Sequence, residues 1–570
     1  MLAKRYPQLA FLLQVGDEGA SYKVLESRTA DEARLPSLAQ YEEFDVVYVY
    51  GLGYGEAYVH FSSYLEEHPQ AQLVLIDEDL AALRLFLTSQ HAERCLTHPR
   101  VHLRFFFDYA NIEGFAASCA ADFPFEHIDV QALPAHKQKK RARFYRIREA
   151  LFRATTVEHA LLVEGMHYHL LAKNFFPNYL RFACASSAND LRGSFSHVPA
   201  VICGAGPSLE DEIENVRALE QRALVIAGGS AITALSRRGI CPHLAVAIDP
   251  NREEVARFRD SVAFEVPLLY VNRVHPGIFE TCNGPLGYLH TLVGGPAEMW
   301  MEKKLGIAPP RFDATCDLEA LSVTTTAIEL AYAMGCSPII LVGVDLALTD
   351  QAAYVEGVVA TPKASLNERK RDKRVAERLL QRKGRLGKPV YTLVKWVMEA
   401  GAIARFAARA TETVWINATA GGLGFEGIPY RSLSEVAWTH HSDLRGKLSA
   451  LLEENRFDVT EERVNAALLE LKKSMEKALC YAELALQELT KEKATEGDPE
   501  TGRLIFTWLE LEELDAYQAL LKPAILSLER TCSVQAGQSD QGKRRALEDK
   551  WRSLYHLAHF YLDRFASIDL

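Results

Sequence analysis

No pair among the ten cysteines is spaced Cys-x-x-Cys, so the chain lacks the signature of a zinc cluster or a disulfide framework. Cys203, Cys241 and Cys336 lie in or beside apolar runs and read as small core residues. No unbroken apolar run approaches the ~20 residues that a membrane-crossing helix needs. Leu9–Val15 is apolar, but acids follow it and it is too short for a signal peptide, so a reduced, cytoplasmic setting away from any membrane is expected. Positive charge is in deficit: 64 Lys and Arg face 75 Asp and Glu, a net charge of −11. That balance argues against a general nucleic-acid binder and leaves room only for a local basic patch. No heptad pattern persists long enough for a coiled coil. His167 and His169, two positions apart, diverge on a helix and make no metal pair.

What is present suits a protein of several domains, because 570 residues exceed what one core holds. The chain is organised around residues 199–250. Three apolar runs there, Ala200–Cys203, Ala223–Ala227 and Leu244–Ile248, read as buried parallel strands separated by segments of helical spacing. The first run empties into Gly204-Ala205-Gly206-Pro207-Ser208. Its glycines permit a tight turn, and exposed N–H groups with Ser208 at the next helix start favour an anion. A capped strand–helix turn fits the same residues. The third run ends in Asp249-Pro250, beyond the carboxyl end of a strand, where ligands of open α/β sheets sit.

Other strand ends carry polar groups too. Pro267–Val271 leads to Asn272, and Pro338–Val342 leads to Gly343-Val344-Asp345-Leu346 and then Thr349-Asp350. Asp345 also suits a helix N-cap. The helical segment Ser322–Met334, which includes Thr324, precedes the second of these strands. A further strand runs into Asn417-Ala418-Thr419-Ala420-Gly421-Gly422, where Asn417 and Thr419 suit a loop cap or a ligand contact and the glycines permit close approach.

The expected fold class is α/β: two Rossmann-like parallel-sheet domains followed by an all-α helical C-terminal domain. Residues 1–135 form the first. Its strand Phe44–Tyr50 meets the turn Gly51-Leu52-Gly53-Tyr54-Gly55, and the strand Leu73–Ile76 ends in Asp77-Glu78-Asp79. That is the dinucleotide or S-adenosylmethionine pattern. With no second catalytic constellation beside it, a structural domain that keeps the turn is the favoured reading. Residues 136–192 read as a helical linker with a basic start, and 193–431 as the central catalytic α/β domain. Within the latter, Arg369–Lys388 carries ten Lys or Arg against Asp372 and Glu377. It reads as a solvated insertion before a helix near Tyr391, or as a lid over an anionic donor. Residues 432–570 read as a bundle of four to six helices.

In order and spacing, Gly204–Leu209, Asp249-Pro250, Gly343–Ala347 with Thr349-Asp350, and Asn417–Gly422 resemble the bacterial motility-associated factor (Maf) family of proposed flagellin glycosyltransferases. The Gly51–Gly55 turn and the helical tail extend the resemblance over nearly the whole chain. It implies transfer of a nonulosonic, sialic-acid-like sugar from a CMP-sugar donor to Ser or Thr of flagellin, with no cofactor and no metal required. The central domain is similar to small bacterial sialyltransferases, whose turn has the same Gly-x-Gly-Pro-Ser-Leu form. Those enzymes usually place Asn where Ala205 stands here, and the His that the family often places after its Asp-Leu-Ala segment is absent near Tyr354.

On this resemblance Gly204, Ala205, Gly206, Pro207, Ser208, Asp249, Asn272 and Thr324 bind the nucleotide. Asn417, Thr419, Gly421 and Gly422 border the donor and acceptor. Backbone N–H groups of the turn would meet the charge gained by the leaving phosphate. The acceptor hydroxyl needs a general base, for which Asp345, Asp350 and Tyr354 are the candidates. The central domain also resembles archaeal hydroxymethylpterin pyrophosphokinases (MptE-like), which implies ATP-dependent pyrophosphoryl transfer with Mg²⁺ on Asp249 and Asp345. A third expectation, of another class, is a non-catalytic binding or export partner of flagellin.

Overall fold

Two parallel sheets organise the chain. The computed structural model describes residues 2–15, 35–41, 43–259, 261–262, 264–291, 295–307, 322–348, 352–356, 358, 366–490, 499–535 and 540–568. The chain divides into two compact units, one of residues 1–162, 366–379 and 393–395, the other of residues 163–365, 380–392 and 396–570. The boundaries expected at 192 and 431 therefore fall inside the second unit.

In the first unit, β1 (Val46–Tyr50), β2 (Gln72–Asp77), β3 (Val101–Phe105) and β4 (Ile128–Ala132) form a parallel sheet in the order β3-β2-β1-β4. The dense Val and Tyr content of β1 follows from burial on both faces, and all five of its residues are buried. The glycine turn after β1 holds Gly51, Gly53 and Gly55 at positive φ (106°, 51° and 91°). A Cβ on Gly51 would lie 2.6 Å from the His136 ring, so only glycine fits there. Three of the turn's donors are taken up as follows. Gly51 N–H goes to the Ile76 carbonyl (2.8 Å), Leu52 N–H to Asp77 (3.0 Å) and Tyr54 N–H to Glu56 (2.7 Å). Fully buried Asp77 also accepts from the N–H groups of Glu78 (2.8 Å) and Asp79 (3.2 Å), and Glu78 pairs with Lys140 and Arg143. The strand-end acid of that dinucleotide-like pattern thus closes its own turn.

Half of the basic stretch also belongs to this unit. Arg378 donates to Asp129 and to the Ile128 carbonyl (both 2.6 Å) and lies over the rings of Phe44 and Phe152. Val375 N–H bonds the Glu126 carbonyl at 2.9 Å. A charge run that reads as solvated is here partly an edge-strand brace.

The second unit holds eight parallel strands: β5 (Ala185–Ser187), β6 (Ala200–Cys203), β7 (Leu224–Gly228), β8 (Leu244–Ala247), β9 (Leu268–Tyr270), β10 (Leu286–Tyr288), β11 (Ile339–Val342) and β14 (Trp415–Asn417). They lie in the order β14-β11-β6-β7-β8-β9-β10-β5. β5 lies inside the stretch read as a helical linker, and three residues are too few to show a period. From β6 the chain winds outward through β7, β8, β9 and β10, then returns to β11 on β6's other side. The switch point therefore lies between β6 and β11, whose register pairs Val201 with Ile340. The rest of the basic stretch supplies β12 (Leu379–Lys383), which pairs with β13 (Pro389–Leu393) just beyond it, so Tyr391 is in a strand and the next helix starts at Val394.

Among the described residues strands end with β14, and helices follow: Leu444–Glu454, Glu461–Thr490, Pro499–Glu512, Lys522–Gln535 and Asp540–Ala566. The apolar, helically spaced runs at 464–471 and 478–489 belong to one helix, Glu461–Thr490. These helices do not build a core of their own, because Leu468, Leu511, Trp551 and Tyr561 join the same apolar cluster as Val201 and Ile340.

Candidate functional site

β6 delivers Gly204–Ser208 to the switch point, and β11 delivers Gly343–Leu346 opposite it. Gly204 and Gly206 allow the two loops to touch: a Cβ on Gly204 would lie 2.4 Å from the Gly343 carbonyl oxygen, and one on Gly206 would lie 2.0 Å from Asp345 Oδ2. Gly206 N–H bonds the Gly343 carbonyl at 2.7 Å. Ser208 precedes the helix Leu209–Arg217 but does not cap it with its own side chain. Its hydroxyl (2.7 Å) and its N–H (3.3 Å) both donate to Asp345 Oδ2. Asp345, 2% exposed, thus places a carboxylate at the positive end of that helix. Ala205 is buried, and its carbonyl accepts from Val355 N–H at 2.9 Å; Pro207 is half-buried. Beside Val355, Tyr354 is 40% exposed, and Asp350 lies outside the described residues.

The Asp345 segment is braced from two sides. On one, Thr419 Oγ1 accepts from Val344 N–H (3.1 Å), and Asn417 Oδ1 accepts from Thr419 N–H (2.9 Å). Both side chains are buried and hold the strand ends together, as the loop-cap reading of these residues has it. Gly422, at φ 72°, packs on the Asp345 carbonyl, where a Cβ would come within 2.1 Å; Gly421 is half-buried beside it. From the other side, Thr392 Oγ1 donates to the Leu346 carbonyl (2.7 Å), and Arg385 Nε to the Ala420 carbonyl (2.9 Å). Sequence reasoning missed Thr392 and Arg385, because a brace through backbone carbonyls leaves no motif.

The remaining predicted residues lie at other strand ends. Asp249, after β8, accepts from Asn251 N–H (3.0 Å) and Asn251 Nδ2 (2.6 Å) and is 3.8 Å from Arg257. Arg257 in turn bonds Glu254 (2.6 Å), which burial pushes up to about 7 against the pull of the guanidinium. Thr324 is half-buried in the first turn of the helix Val323–Ala333, which a Ser322–Thr325 capping box starts beside Gly228. Asn272 is taken up in packing: its Nδ2 donates to the Phe175 carbonyl (3.1 Å), and its N–H donates to Glu298 (3.1 Å).

Glu298 belongs to a buried network that no motif announced. Tyr288 and His290 both meet Glu302, and Glu298 stands one helical turn away. Burial first, with the Glu302 charge adding to it, pushes the Glu298 carboxyl up to about 8. This network joins the ends of β9 and β10 to the helix Gly295–Leu305 and can share a proton.

Among known proteins, the family model described as 6-hydroxymethylpterin diphosphokinase MptE-like matches residues 173–351. No curated protein matches the chain. One similar solved structure is the MAf glycosyltransferase from Magnetospirillum magneticum AMB-1, with 15% identity and a TM-score of 0.53 over 100% of this chain and 96% of that one. The chain therefore has the fold of that glycosyltransferase along its whole length, with an MptE-like segment at 173–351.

Proposed function

We propose that this chain is a glycosyltransferase that moves a nonulosonic sugar from a CMP-sugar donor to Ser or Thr of flagellin. The observation that carries the reading is the full-length fold likeness to a Maf glycosyltransferase. The switch point supports it, since its glycine turn and helix N-terminus already hold an anionic group, the Asp345 carboxylate.

In this reading the bond between the sugar's anomeric carbon and the phosphate oxygen breaks, and the CMP phosphate leaves with added charge. Ser208 N–H and O–H would stabilise that charge. The acceptor oxygen bonds the anomeric carbon from the opposite side and loses its proton to a base. Asp345 touches the phosphate end, which suits it to ordering the turn. Asp350 and Tyr354 are then the candidates for the acceptor's proton. Asp249 and Thr324 serve the nucleoside, and Asn272 acts through packing. Flagellin incubated with CMP-activated nonulosonic acid and the purified chain should gain one sugar mass per modified residue. An unmodified flagellin with intact donor would refute the proposal.

A second reading, ATP-dependent pyrophosphoryl transfer, draws on the MptE-like match at 173–351. Its Mg²⁺ would fall to Asp249 and Asp345. Those carboxylates are bonded to Asn251 and Ser208, and among the described residues no group of three His, Cys, Asp or Glu gathers to hold a metal. Asp249 and Asp345 follow β8 and β11, three strand spacings apart in the sheet, about 14 Å at the usual strand separation, so the two do not fit one shared ion, and no step is routed through it. No helix among the described residues is long and apolar enough to cross a membrane.

A further inference from the structure

We infer that Asp345 is an internal stand-in for the ligand's phosphate, and that an anion entering the Gly204–Ser208 turn must first expel its carboxylate. The inference rests on the nucleotide reading of that turn.

Two of the turn's other donors are already engaged by backbone: Gly204 N–H bonds the Val342 carbonyl (2.8 Å) and Gly206 N–H the Gly343 carbonyl (2.7 Å). Ser208 supplies the two donors that a phosphate oxygen would use, and both point at Asp345 Oδ2. That oxygen lies where a Gly206 Cβ would be, so the glycine clears space for an anion that the chain itself provides. The carboxylate comes from the loop that follows the facing strand β11 and not from the helix whose N-terminus it meets.

The first unit offers a contrast. Asp77 closes its glycine turn with three backbone N–H bonds, two of them to its immediate successors, and this is a fixed lock. From the Gly204–Ser208 turn Asp345 accepts one N–H at 3.3 Å and one hydroxyl, and a hydroxyl can turn to a new acceptor. Its main chain stays anchored meanwhile. Leu423 N–H bonds the Asp345 carbonyl at 2.9 Å, and Leu346 is held at φ 49°, a left-handed conformation that a leucine adopts only under constraint. The exchange is therefore a rotation of the Asp345 side chain within a fixed loop.

Two like charges cannot share the pocket, so the carboxylate weakens every anionic ligand there. The consequence runs against the usual expectation for a site residue: Asp345→Asn, the same shape without the charge, should bind more tightly. Calorimetry on the full chain should show CMP affinity rising at least fivefold in Asp345→Asn, while any affinity for cytidine, which lacks the phosphate, stays as in the wild type. Equal or weaker CMP binding by the variant overturns the inference and leaves the nucleotide site standing. Absence of CMP binding by both proteins overturns the nucleotide reading and the inference with it. Should the variant fail to fold, a crystal structure of the wild type with CMP decides the same question. The Ser208–Asp345 bond is expected to be broken in that complex, and a bound phosphate with the bond intact overturns the exchange.

Discussion

Replacing Glu298 by Gln tests the buried network through its pH dependence. In the folded chain the carboxyl titrates at about 8, against 4.5 for an ordinary glutamate, because burial disfavours its charge. Below pH 4.5 the folded and unfolded chains both hold the proton, and the group costs nothing. Between these limits the unfolded chain releases it and the folded chain keeps it, so stability is lost as pH rises and levels off above pH 8. At about 1.36 kcal/mol per pH unit the window is worth roughly 5 kcal/mol. Glutamine carries no titrating proton, so the variant escapes this loss. Its melting temperature relative to the wild type should be clearly higher at pH 8 than at pH 5. A difference that does not change with pH would mean that Glu298 is charged in the folded chain and that the account of this network is wrong.

Other perturbations separate the two units. Asp77→Asn weakens the acceptor of three N–H groups, one buried and two part-buried, and should destabilise the first unit by about 1–3 kcal/mol, seen as lost hydrogen-exchange protection at Leu52, Glu78 and Asp79, with CMP binding unchanged. Arg378→Ala leaves Asp129, 4% exposed, without its ion pair, at a cost of about 3–5 kcal/mol, and should expose residues 366–379 to limited proteolysis. Gly422→Ala puts a Cβ 2.1 Å from the Asp345 carbonyl at a positive φ, so donor turnover should fall at least tenfold in a transfer assay while the far-UV spectrum holds.

Much of the fold was legible because buried parallel strands read as short Val, Ile and Leu runs. Ala200–Cys203 and the expected Pro338–Val342 sit in register at the centre of the second sheet, and the N-terminal turn has the glycine conformations its residues demand. The three-residue strands β5 and β10 were not legible, since Ala-Ser-Ser and Leu-Gly-Tyr carry no period. Of the candidate site, the meeting of Gly206 and Asp345 follows from two motifs at adjacent strand ends. What the motifs do not encode is direction. Asn272, Asn417 and Thr419 also stand at strand ends, yet their side chains turn into the packing. A strand end brings a residue to the right edge of the sheet, and its neighbours decide whether it faces a ligand. The basic stretch misled for a related reason: Arg378 and Arg385 look like solvated charge until β4 and the Ala420 carbonyl are brought to them from far away in the chain.

The central claim is that the switch point between β6 and β11 binds the nucleotide of a CMP-sugar. Calorimetry with CMP, ATP plus Mg²⁺ and S-adenosylmethionine, each against the wild type and Gly206→Val, tests it most directly. A side chain at Gly206 would strike the Gly343 carbonyl oxygen at 2.7 Å as well as Asp345. The account predicts metal-free binding of CMP that Gly206→Val abolishes. Binding of ATP only with Mg²⁺, or CMP binding that survives the valine, would contradict it.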